Sequence, residues 1–414
     1  MSGDHGGRPG TRHAWLYRPV SGHLTDRTVA RGPPRNVLAT RDPIRSASPA
    51  LQGDIKEGDR VAGIDGPEGR GGRRILITGI AGTLAGRLAL KLEADDRVDY
   101  VGGVDLAQPS MDLRRTEFVR ADLRNPLVAK VIDSTRVDTI VHMSLIAEPG
   151  SAGGRSRMKE LNVIGTMQLM GAAQKAPQVR RVVMRSTTAV YGSHYRDPAL
   201  FREDHQPRQV PRSGYTADVT EVEGYARGFG RRRPDVDLTV LRFANFIGPD
   251  IETPMTRYLS LPVMPTILGY DPRLQLCHTD DAVEILYRAT MDSHPGIFNV
   301  ASPGVIYLSQ AARMLGRPTV PIPAGLAGSV TSVLKPASGI DFTGEQLPLL
   351  QFGRVADVSR AIAEFGYTPA FTTKEALADF IAAGRVEPLV SHEAVERVET
   401  MLGNVVSSVL RRVS

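Results

Sequence analysis

The sequence has little of several features that would each define a class of protein. It holds one cysteine, Cys277, and one tryptophan, Trp15, among 414 residues. A lone cysteine cannot form an internal disulfide, which favours a reducing cytoplasm over a disulfide-rich secreted scaffold. Cys277 stands next to Leu276 in an apolar context, so we expect a buried core residue and not a nucleophile.

Long apolar segments are also missing. No run reaches the roughly 18 residues that a membrane-spanning helix needs, and the start lacks the short apolar region of a secretory signal. The sequence therefore predicts neither a membrane span nor export. It predicts no metal site either.

The net charge of +6 is concentrated at the beginning of the chain. Residues 1–50 hold eight arginines and three aspartates, so the rest of the chain is nearly neutral. Residues 1–72 are rich in Gly, Pro, Arg and Ser, and we interpret them as a disordered basic extension. An electrostatic arm for nucleic acid is the alternative, but few aromatic residues interleave with the arginines and nucleic-acid binding is not favoured. A misassigned start codon is a further alternative.

From Arg73 onward, short apolar strands alternate with helical segments. The predicted strands are 75–78, 100–104, 117–119, 137–142, 180–184 and 238–243, and the predicted helices are 83–93, 158–176 and 219–230. This alternation predicts an α/β fold with a doubly wound parallel sheet. After about residue 250 the pattern loosens and prolines become frequent, as expected of a smaller substrate-capping region over 251–385. Apolar residues at helical spacing in 393–413 predict a C-terminal amphipathic helix within 386–414.

A glycine-rich loop follows the first predicted strand and opens the first predicted helix. Residues 78–86 read TGIAGTLAG, in which Gly79 permits a tight turn and Gly82 lets the backbone approach a pyrophosphate. The helix N-terminus after the loop favours the same negative group. These features predict a Rossmann-type dinucleotide-binding domain over 73–250.

Two aspartates extend this prediction. Asp105 ends the second predicted strand, where a carboxylate binds both ribose hydroxyls and repels a 2′-phosphate. We therefore expect NAD rather than NADP. Asp122 follows the third strand and is placed to receive the adenine amino group. The alternative for Asp105 is an exposed turn residue.

Several further segments carry a resemblance to a known family. They read LNVIGT at 161–166, STTAVYG at 186–192, RFANFIGP at 242–249, HTDDA at 278–282 and FNV at 298–300. In this order, with the glycine loop, they are similar to the motifs of the extended short-chain dehydrogenase/reductase family. This family is also called NAD-dependent epimerase/dehydratase and includes UDP-galactose 4-epimerase. The resemblance covers roughly residues 73–385.

The resemblance implies specific roles for residues of the chain. Tyr215 would be the general acid/base, and Thr187 would hydrogen-bond the substrate oxygen. Residues implied to contact the cofactor are Gly79, Gly82, Thr83, Leu84, Asp105, Asp122, Leu123, Met143, Ser144, Asn162, Ser186 and Asn245. The implied substrate is a nucleotide sugar, and the implied assembly is a homodimer formed through helices 158–176 and 219–230.

Two departures from the family pattern bear on catalysis. The family places a lysine four residues after the tyrosine, where this chain has Val219, and no lysine occurs between Lys175 and Lys335. That lysine helps a tyrosine, whose free pKa is about 10, to ionise near neutral pH. Arg212 and Arg227 are cationic but lack the spacing. Leu145 also stands where the family keeps a small residue near the cofactor, so we expect it to crowd the nicotinamide end.

Two functions from different classes therefore remain open. The first is an NAD-dependent enzyme, an epimerase or related dehydrogenase, that moves a hydride from a nucleotide sugar. A dehydratase is disfavoured because positions 188 and 189 hold Thr188 and Ala189 instead of an acid/base carboxylate pair. The second is a catalytically impaired sensor that binds NAD or a sugar nucleotide. Changing Val219 to lysine distinguishes the two, because turnover would rise in an impaired enzyme.

Overall fold

The computed structural model describes residues 71–208, 214–326 and 346–386. The predicted N-terminal extension and C-terminal helix lie outside these residues, apart from Gly71, Gly72 and Val386 at their edges. None of the helices in the described part of the chain is long and apolar enough to cross a membrane.

A seven-stranded sheet, parallel throughout, organises the fold. Its strands are Arg73–Thr78 (β1), Val98–Asp105 (β2), Thr116–Arg120 (β3), Thr139–His142 (β4), Arg181–Thr187 (β5), Asp237–Phe243 (β6) and Gly296–Val300 (β11, after four short strands given below). The order across the sheet is β11-β6-β5-β4-β1-β2-β3. Every pairing in it is parallel. The prediction of an α/β fold with a doubly wound parallel sheet is confirmed. Each of the six predicted strands is present.

Helices cover both faces of this sheet. They are Thr83–Glu93 (α1), Leu127–Thr135 (α2), Pro149–Ala152 (α3), Arg155–Lys159 (α4), Gly165–Lys175 (α5), Gly214–Arg232 (α6) and Thr279–Met291 (α8). Side chains of β1 alternate between the two faces, as a strand buried on both sides requires. Ile75 and Ile77 join the core under α1 and α8, whereas Leu76 joins the core under α2, α5 and α6.

The predicted helices differ from the observed ones in two places. The helix predicted over 158–176 is interrupted by a π-helical turn at Glu160–Ile164, so it comprises α4, this turn and α5. The helix predicted over 219–230 begins earlier, at Gly214, and ends at Arg232. The first helix has the predicted bounds, Thr83–Glu93.

A smaller region with its own core follows β6. Its elements are Asn245–Ile247 (β7), Pro254–Leu259 (α7), Met264–Ile267 (β8), Arg273–Leu274 (β9), Leu276–His278 (β10), Ile306–Tyr307 (β12), Leu308–Met314 (α9), Thr319–Ile322 (β13), Gln346–Phe352 (α10) and Thr373–Ala382 (α12). Between the last two, Ser359–Phe365 (α11) packs on the core of the main sheet. β7 pairs with β10, β8 with β13, and β9 with β12. The chain returns to the main sheet between these elements through α8 and β11.

Candidate active site

The glycine loop joins β1 to α1 with the geometry that its sequence predicts. Gly79 has a φ of +72°, a conformation that favours glycine. A Cβ atom built on Gly79 would lie 2.8 Å from the backbone N and Cα of Ser144, so no side chain fits there. Gly82 is in an extended conformation at the N-cap of α1, whose first N–H groups have no partner within the helix.

Asp105 lies beside this loop at the end of β2. Its carboxylate accepts hydrogen bonds from Ala81 N at 3.0 Å, Leu106 N at 2.6 Å and Ala107 N at 3.2 Å. The carboxylate is therefore held against the loop and faces the space in front of β2. This placement suits a group that binds ribose hydroxyls.

Asp122 has a charged neighbour that the sequence interpretation did not consider. Arg124 contacts the Asp122 carboxylate through Nε at 3.0 Å and through its terminal nitrogen at 2.6 Å. Hydrogen bonds from Arg124 hold the pKa of Asp122 below its usual range. Arg124 also donates to Glu160 at 2.6 Å. Contact between Asp122 and an adenine stays a prediction, in which the adenine would share the carboxylate with Arg124.

A cavity of about 500 Å³ extends from the glycine loop toward the smaller region. Both predicted catalytic residues, Thr187 at the end of β5 and Tyr215 at the start of α6, line it. Seven of the predicted cofactor contacts line it as well: Gly79, Gly82, Thr83, Leu84, Met143, Ser186 and Asn245. The fold thus brings the glycine loop and the two candidate catalytic side chains to one cavity, from segments more than a hundred residues apart.

Other predicted cofactor contacts lie behind the cavity wall. Asn162 is fully buried, and its side-chain amide donates to Ile146 O at 2.9 Å while accepting from Ile146 N at 2.8 Å. It therefore holds the segment after β4 in place. Ser144 packs its backbone against Gly79, and Leu123 is buried beneath Gly165. Direct cofactor contact by these three residues stays a prediction.

The two departures from the family pattern occupy distinct places. Val219 is fully buried in the core under α6, one helical turn after Tyr215. Leu145 is largely buried, and it lines the cavity next to Ile146. Val219 therefore offers Tyr215 no charge, and Leu145 narrows the cavity at the end of β4.

His142 at the end of β4 is held by two hydroxyl groups and has a structural role. Its Nδ1 lies 2.7 Å from Thr78 Oγ1 and its Nε2 lies 2.8 Å from Thr166 Oγ1. Burial, with a contribution from the Arg185 cation, lowers the pKa of His142 to about 3. The ring is neutral near pH 7 and joins β1, β4 and α5 below the cavity.

Several of the family-like motifs meet in one buried network. Glu223 of α6 accepts from Ser186 Oγ at 2.6 Å and from Arg242 through Nε at 2.9 Å and a terminal nitrogen at 2.7 Å. Arg242 also donates to the Tyr191 hydroxyl at 2.9 Å, and that hydroxyl donates to Asn299 Oδ1 at 2.7 Å. The network fixes the end of β5, and with it Thr187, against α6, β6 and β11.

Three arginines near the site were not among the site residues predicted from the sequence. Arg185 and Arg354 line the cavity. Arg155 forms a two-pronged ion pair with the buried Asp218, at 2.6 and 2.7 Å, and donates to Gly214 O at 2.8 Å. A signal for Arg185 was available, because it precedes Thr187 by two residues and therefore shares its face of β5.

The residues that would hold NAD fit that group. Because its glycines carry no side chain, the loop leaves its backbone open to a pyrophosphate. The N-terminus of α1 follows the loop, and Asp105 ends β2 beside it. Asp105 faces no arginine among its hydrogen-bonding partners in the described part of the chain, which is consistent with a ribose that carries no 2′-phosphate.

Cys277 is fully buried in the core, as expected. Burial raises the pKa of its thiol well above the usual value. A thiol in this environment is a weak nucleophile, so the prediction of a core residue is confirmed.

Comparisons with known proteins agree with the fold and the motifs. An uncharacterized protein of Mycobacterium tuberculosis is 43% identical over 329 residues, which are 78% of this chain and 88% of the relative. The solved structure of MoeE5 with UDP-glucose and NAD shares 22% identity and a TM-score of 0.58, covering 75% of this chain and 98% of MoeE5. UDP-glucose 4-epimerase of Thermotoga maritima, solved with UDP-glucose, shares 20% identity and a TM-score of 0.57, with 75% and 98% coverage.

The sequence pattern of one family matches more than half of the chain. The matched residues are 75–301, from β1 to the residue after β11. The family is described as NAD dependent, which confirms the prediction of NAD as the cofactor. From its sequence pattern, its fold and its relatives, the chain belongs to the NAD-dependent epimerase/dehydratase family.

Proposed function

We propose that the chain is an NAD-dependent enzyme that acts on a nucleotide sugar, as a 4-epimerase-like isomerase or a related dehydrogenase. The observation that carries the proposal is the shared cavity. Thr187 and Tyr215 line the same space as the glycine loop. A substrate hydroxyl between them would therefore lie beside a dinucleotide whose pyrophosphate rests on α1.

The roles of the two side chains follow from their chemistry. Tyr215, as phenolate, accepts the proton of the substrate hydroxyl, and Thr187 hydrogen-bonds the same oxygen. When bound, NAD would supply the acceptor for the hydride of the carbon that carries this oxygen and, in an epimerase, the donor of a hydride to the opposite face. Tyr215 then gives the proton back to the oxygen, so the net change is inversion at one carbon with no loss of atoms.

The walls of the cavity argue against dehydration as a further step. Elimination of water needs an acid and a base near the departing hydroxyl. Thr188 is buried and Ala189 lines the cavity, so these positions supply no carboxylate. Glu148 and Glu252 also line the cavity, but both form ion pairs with Arg257.

A second candidate function rests on Val219. With an apolar residue one turn after Tyr215, the chain could retain the cavity and lose proton transfer. The protein would then be a catalytically impaired sensor of NAD or of a sugar nucleotide. Turnover of a sugar nucleotide separates the two functions, since only the first predicts it.

The first test concerns the cofactor. We expect Asp105→Ala to weaken NAD binding about 10- to 100-fold, because the variant loses hydrogen bonds between a carboxylate and the ribose, worth about 1.5–3 kcal/mol. Calorimetric titration with NAD and NADP measures this. Asp112→Ala, which removes an exposed carboxylate outside the cavity lining, is the matched control. Equal NAD affinity in Asp105→Ala and the wild type would contradict the role of Asp105.

The second test concerns the substrate. Protein loaded with NAD is incubated with UDP-glucose, UDP-glucuronic acid or a dTDP-sugar, and the products are separated by chromatography. UDP-glucose and UDP-glucuronic acid are chosen because similar structures were solved with them. Formation of an epimer, or absorbance of reduced nicotinamide, supports the enzyme. NAD binding without either change for any sugar nucleotide supports the sensor.

We also propose a homodimer and a cytoplasmic location. The neighbouring helices α5 and α6 pack side by side on one face of the sheet, and Ile164 at the start of α5 is exposed. These are the helices through which family resemblance implies dimerisation. Light scattering on the purified full chain would show a monomer mass if this proposal is wrong.

A further inference from the structure

Arg185 lines the cavity of the candidate site. It occupies β5 two residues before Thr187, and successive side chains of a strand point to opposite faces. Arg185 and Thr187 accordingly both line the cavity, while the side chain of Ser186 between them donates to the buried Glu223. The guanidinium is therefore on the substrate side of the strand.

The backbone anchors this guanidinium. A terminal nitrogen of Arg185 donates to Leu145 O, in the segment that follows β4. No carboxylate of the described residues forms an ion pair with Arg185. The Arg185 side chain is partly buried, and a charge partly withdrawn from water without a charged partner is less stable than a solvated one, so an anion next to the guanidinium is favoured.

Tyr215 is the group that can provide this anion. Burial lowers the pKa of Arg185, and among the described residues the charge of ionised Tyr215 acts in the opposite direction. The interaction is reciprocal, because an arginine that gains from a nearby phenolate stabilises that phenolate by the same amount. Arg185 and Tyr215 also line the same cavity, from β5 and from the first turn of α6.

Within the described residues of α6, no lysine or arginine precedes Arg227, and Arg212 lies outside the described residues. Val219 is apolar and fully buried one turn later. Arg155 of α4 contacts the first turn of α6 through Gly214 O, and its two terminal nitrogens bind the carboxylate of Asp218.

Among the described residues around the cavity, the other charged or titratable groups are neutral or have partners of their own. His142, beneath Arg185, is neutral because burial lowers its pKa to about 3. Across the cavity, Glu148 and Glu252 pair with Arg257. Glu223, behind β5, pairs with Arg242. Arg354 lines the cavity from the smaller region and donates to Gly192 O at 3.1 Å.

From this arrangement we propose that Arg185 is the positioning residue that stabilises the phenolate of Tyr215 and replaces the cation that Val219 cannot supply. The proposal rests on the proposed function in one respect, namely the role of Tyr215 as acid/base. The proposal adds Arg185 as a source of the positive charge that ionisation of Tyr215 requires. The cation comes from the strand that carries Thr187 and not from the helix that carries Tyr215.

A titration without substrate tests the charge effect directly. The chain has 11 tyrosines, so the phenolate absorbance of Tyr215 is obtained as the difference between the wild type and Tyr215→Phe. Burial raises the pKa of several other tyrosines, which therefore ionise at higher pH: Tyr100, Tyr191, Tyr258, Tyr287 and Tyr367. We expect Arg185→Gln to move the Tyr215 midpoint upward by about one to three pH units, the size of shift that one adjacent opposite charge produces. Arg185→Lys keeps the charge and should restore most of the shift.

A kinetic measurement gives an independent readout. The rising limb of the pH–rate profile reports ionisation of the base, so it should move to higher pH in Arg185→Gln and return toward the wild type in Arg185→Lys. Adding Val219→Lys to Arg185→Gln should also restore it, since residues four apart on a helix lie on one face. Thermal unfolding of each variant confirms that it is folded.

Two results would overturn the proposal. One is a Tyr215 midpoint that is unchanged in a folded Arg185→Gln variant. The other is a Lys variant that behaves like the Gln variant in the titration, which would show that the charge of Arg185 is irrelevant. Because the titration needs neither NAD nor sugar, a negative substrate screen would contradict the proposed function and leave the charge effect measurable.

Discussion

Tyr215→Phe is expected to lower the turnover number about 10²- to 10⁴-fold, the range lost when a positioned acid/base group is removed. The side chain lines the cavity with Thr187. Phenylalanine keeps the ring but lacks the phenolic oxygen, which is the atom of Tyr215 that accepts the proton. NAD binding should be unchanged, because the glycine loop and Asp105 lie at the other end of the site. Steady-state kinetics with the active sugar nucleotide, together with calorimetry for NAD, measure both quantities.

Tyr225→Phe is the matched control for this variant. Tyr225 lies on the same helix, is half-buried and packs on the same core, but it does not line the cavity. Its hydroxyl should be dispensable for turnover. If Tyr215→Phe retained wild-type turnover, the acid/base role would be wrong and another cavity group would have to accept the proton.

Glu223→Ala is expected to lower the free energy of unfolding by about 3–5 kcal/mol. The variant leaves the buried Arg242 without its carboxylate partner and removes the acceptor of Ser186. Both charged side chains are almost inaccessible, at 2% and 5% exposure. Losing one partner of a buried ion pair is more destabilising than the pair itself is stabilising, because the remaining charge has no compensation.

Urea denaturation followed by circular dichroism measures this change. Glu221→Ala is the control, since it makes the same substitution two residues earlier on α6. Glu221 is exposed and pairs with Lys159 at 3.7 Å, so its removal should change the free energy by less than about 1 kcal/mol. Equal stabilities of the two variants would show that the network around Arg242 contributes little to the fold.

Much of the order of elements in the sheet could be predicted from local sequence alone. Alternating apolar strands and helices, together with the glycine loop, were sufficient for six of the seven strands, for α1 and for the position of Asp105 at the end of β2, whereas β11 was not predicted. These features depend on neighbours within a few residues of each other. Cys277 was also placed correctly, because its flanking residues are largely apolar.

The pairing of distant side chains could not be predicted in this way. The motifs around Tyr191, Arg242 and Asn299 were visible as family signatures. They form one network only through contacts between residues that are 51 and 108 positions apart in the sequence. Strand alternation could have placed Arg185 on the same face as Thr187, but not in the same cavity as Tyr215. The significance of Arg185 appears only when β5, the start of α6 and the segment after β4 surround one cavity.

The interruption of the helix predicted over 158–176 is a different case. Thr166 Oγ1 donates to Asn162 O at 2.6 Å, and Asn162 bonds Ile146 through its side chain. The wider turn at Glu160–Ile164 accompanies these bonds. Apolar periodicity carries no information about such side-chain bonds, so the sequence pattern indicated one continuous helix.

Because the protein has a single thiol and this thiol is buried, its chemical labelling measures local opening of the structure. Cys277 lies in β10, which pairs with β7, the strand that begins at Asn245 in the cavity wall. A thiol reagent can modify it only while this strand pair is open, so the labelling rate measures the opening equilibrium of the cavity wall. Ligands that hold the wall closed slow that labelling, and even an unidentified sugar nucleotide can be found by the protection that it confers on Cys277.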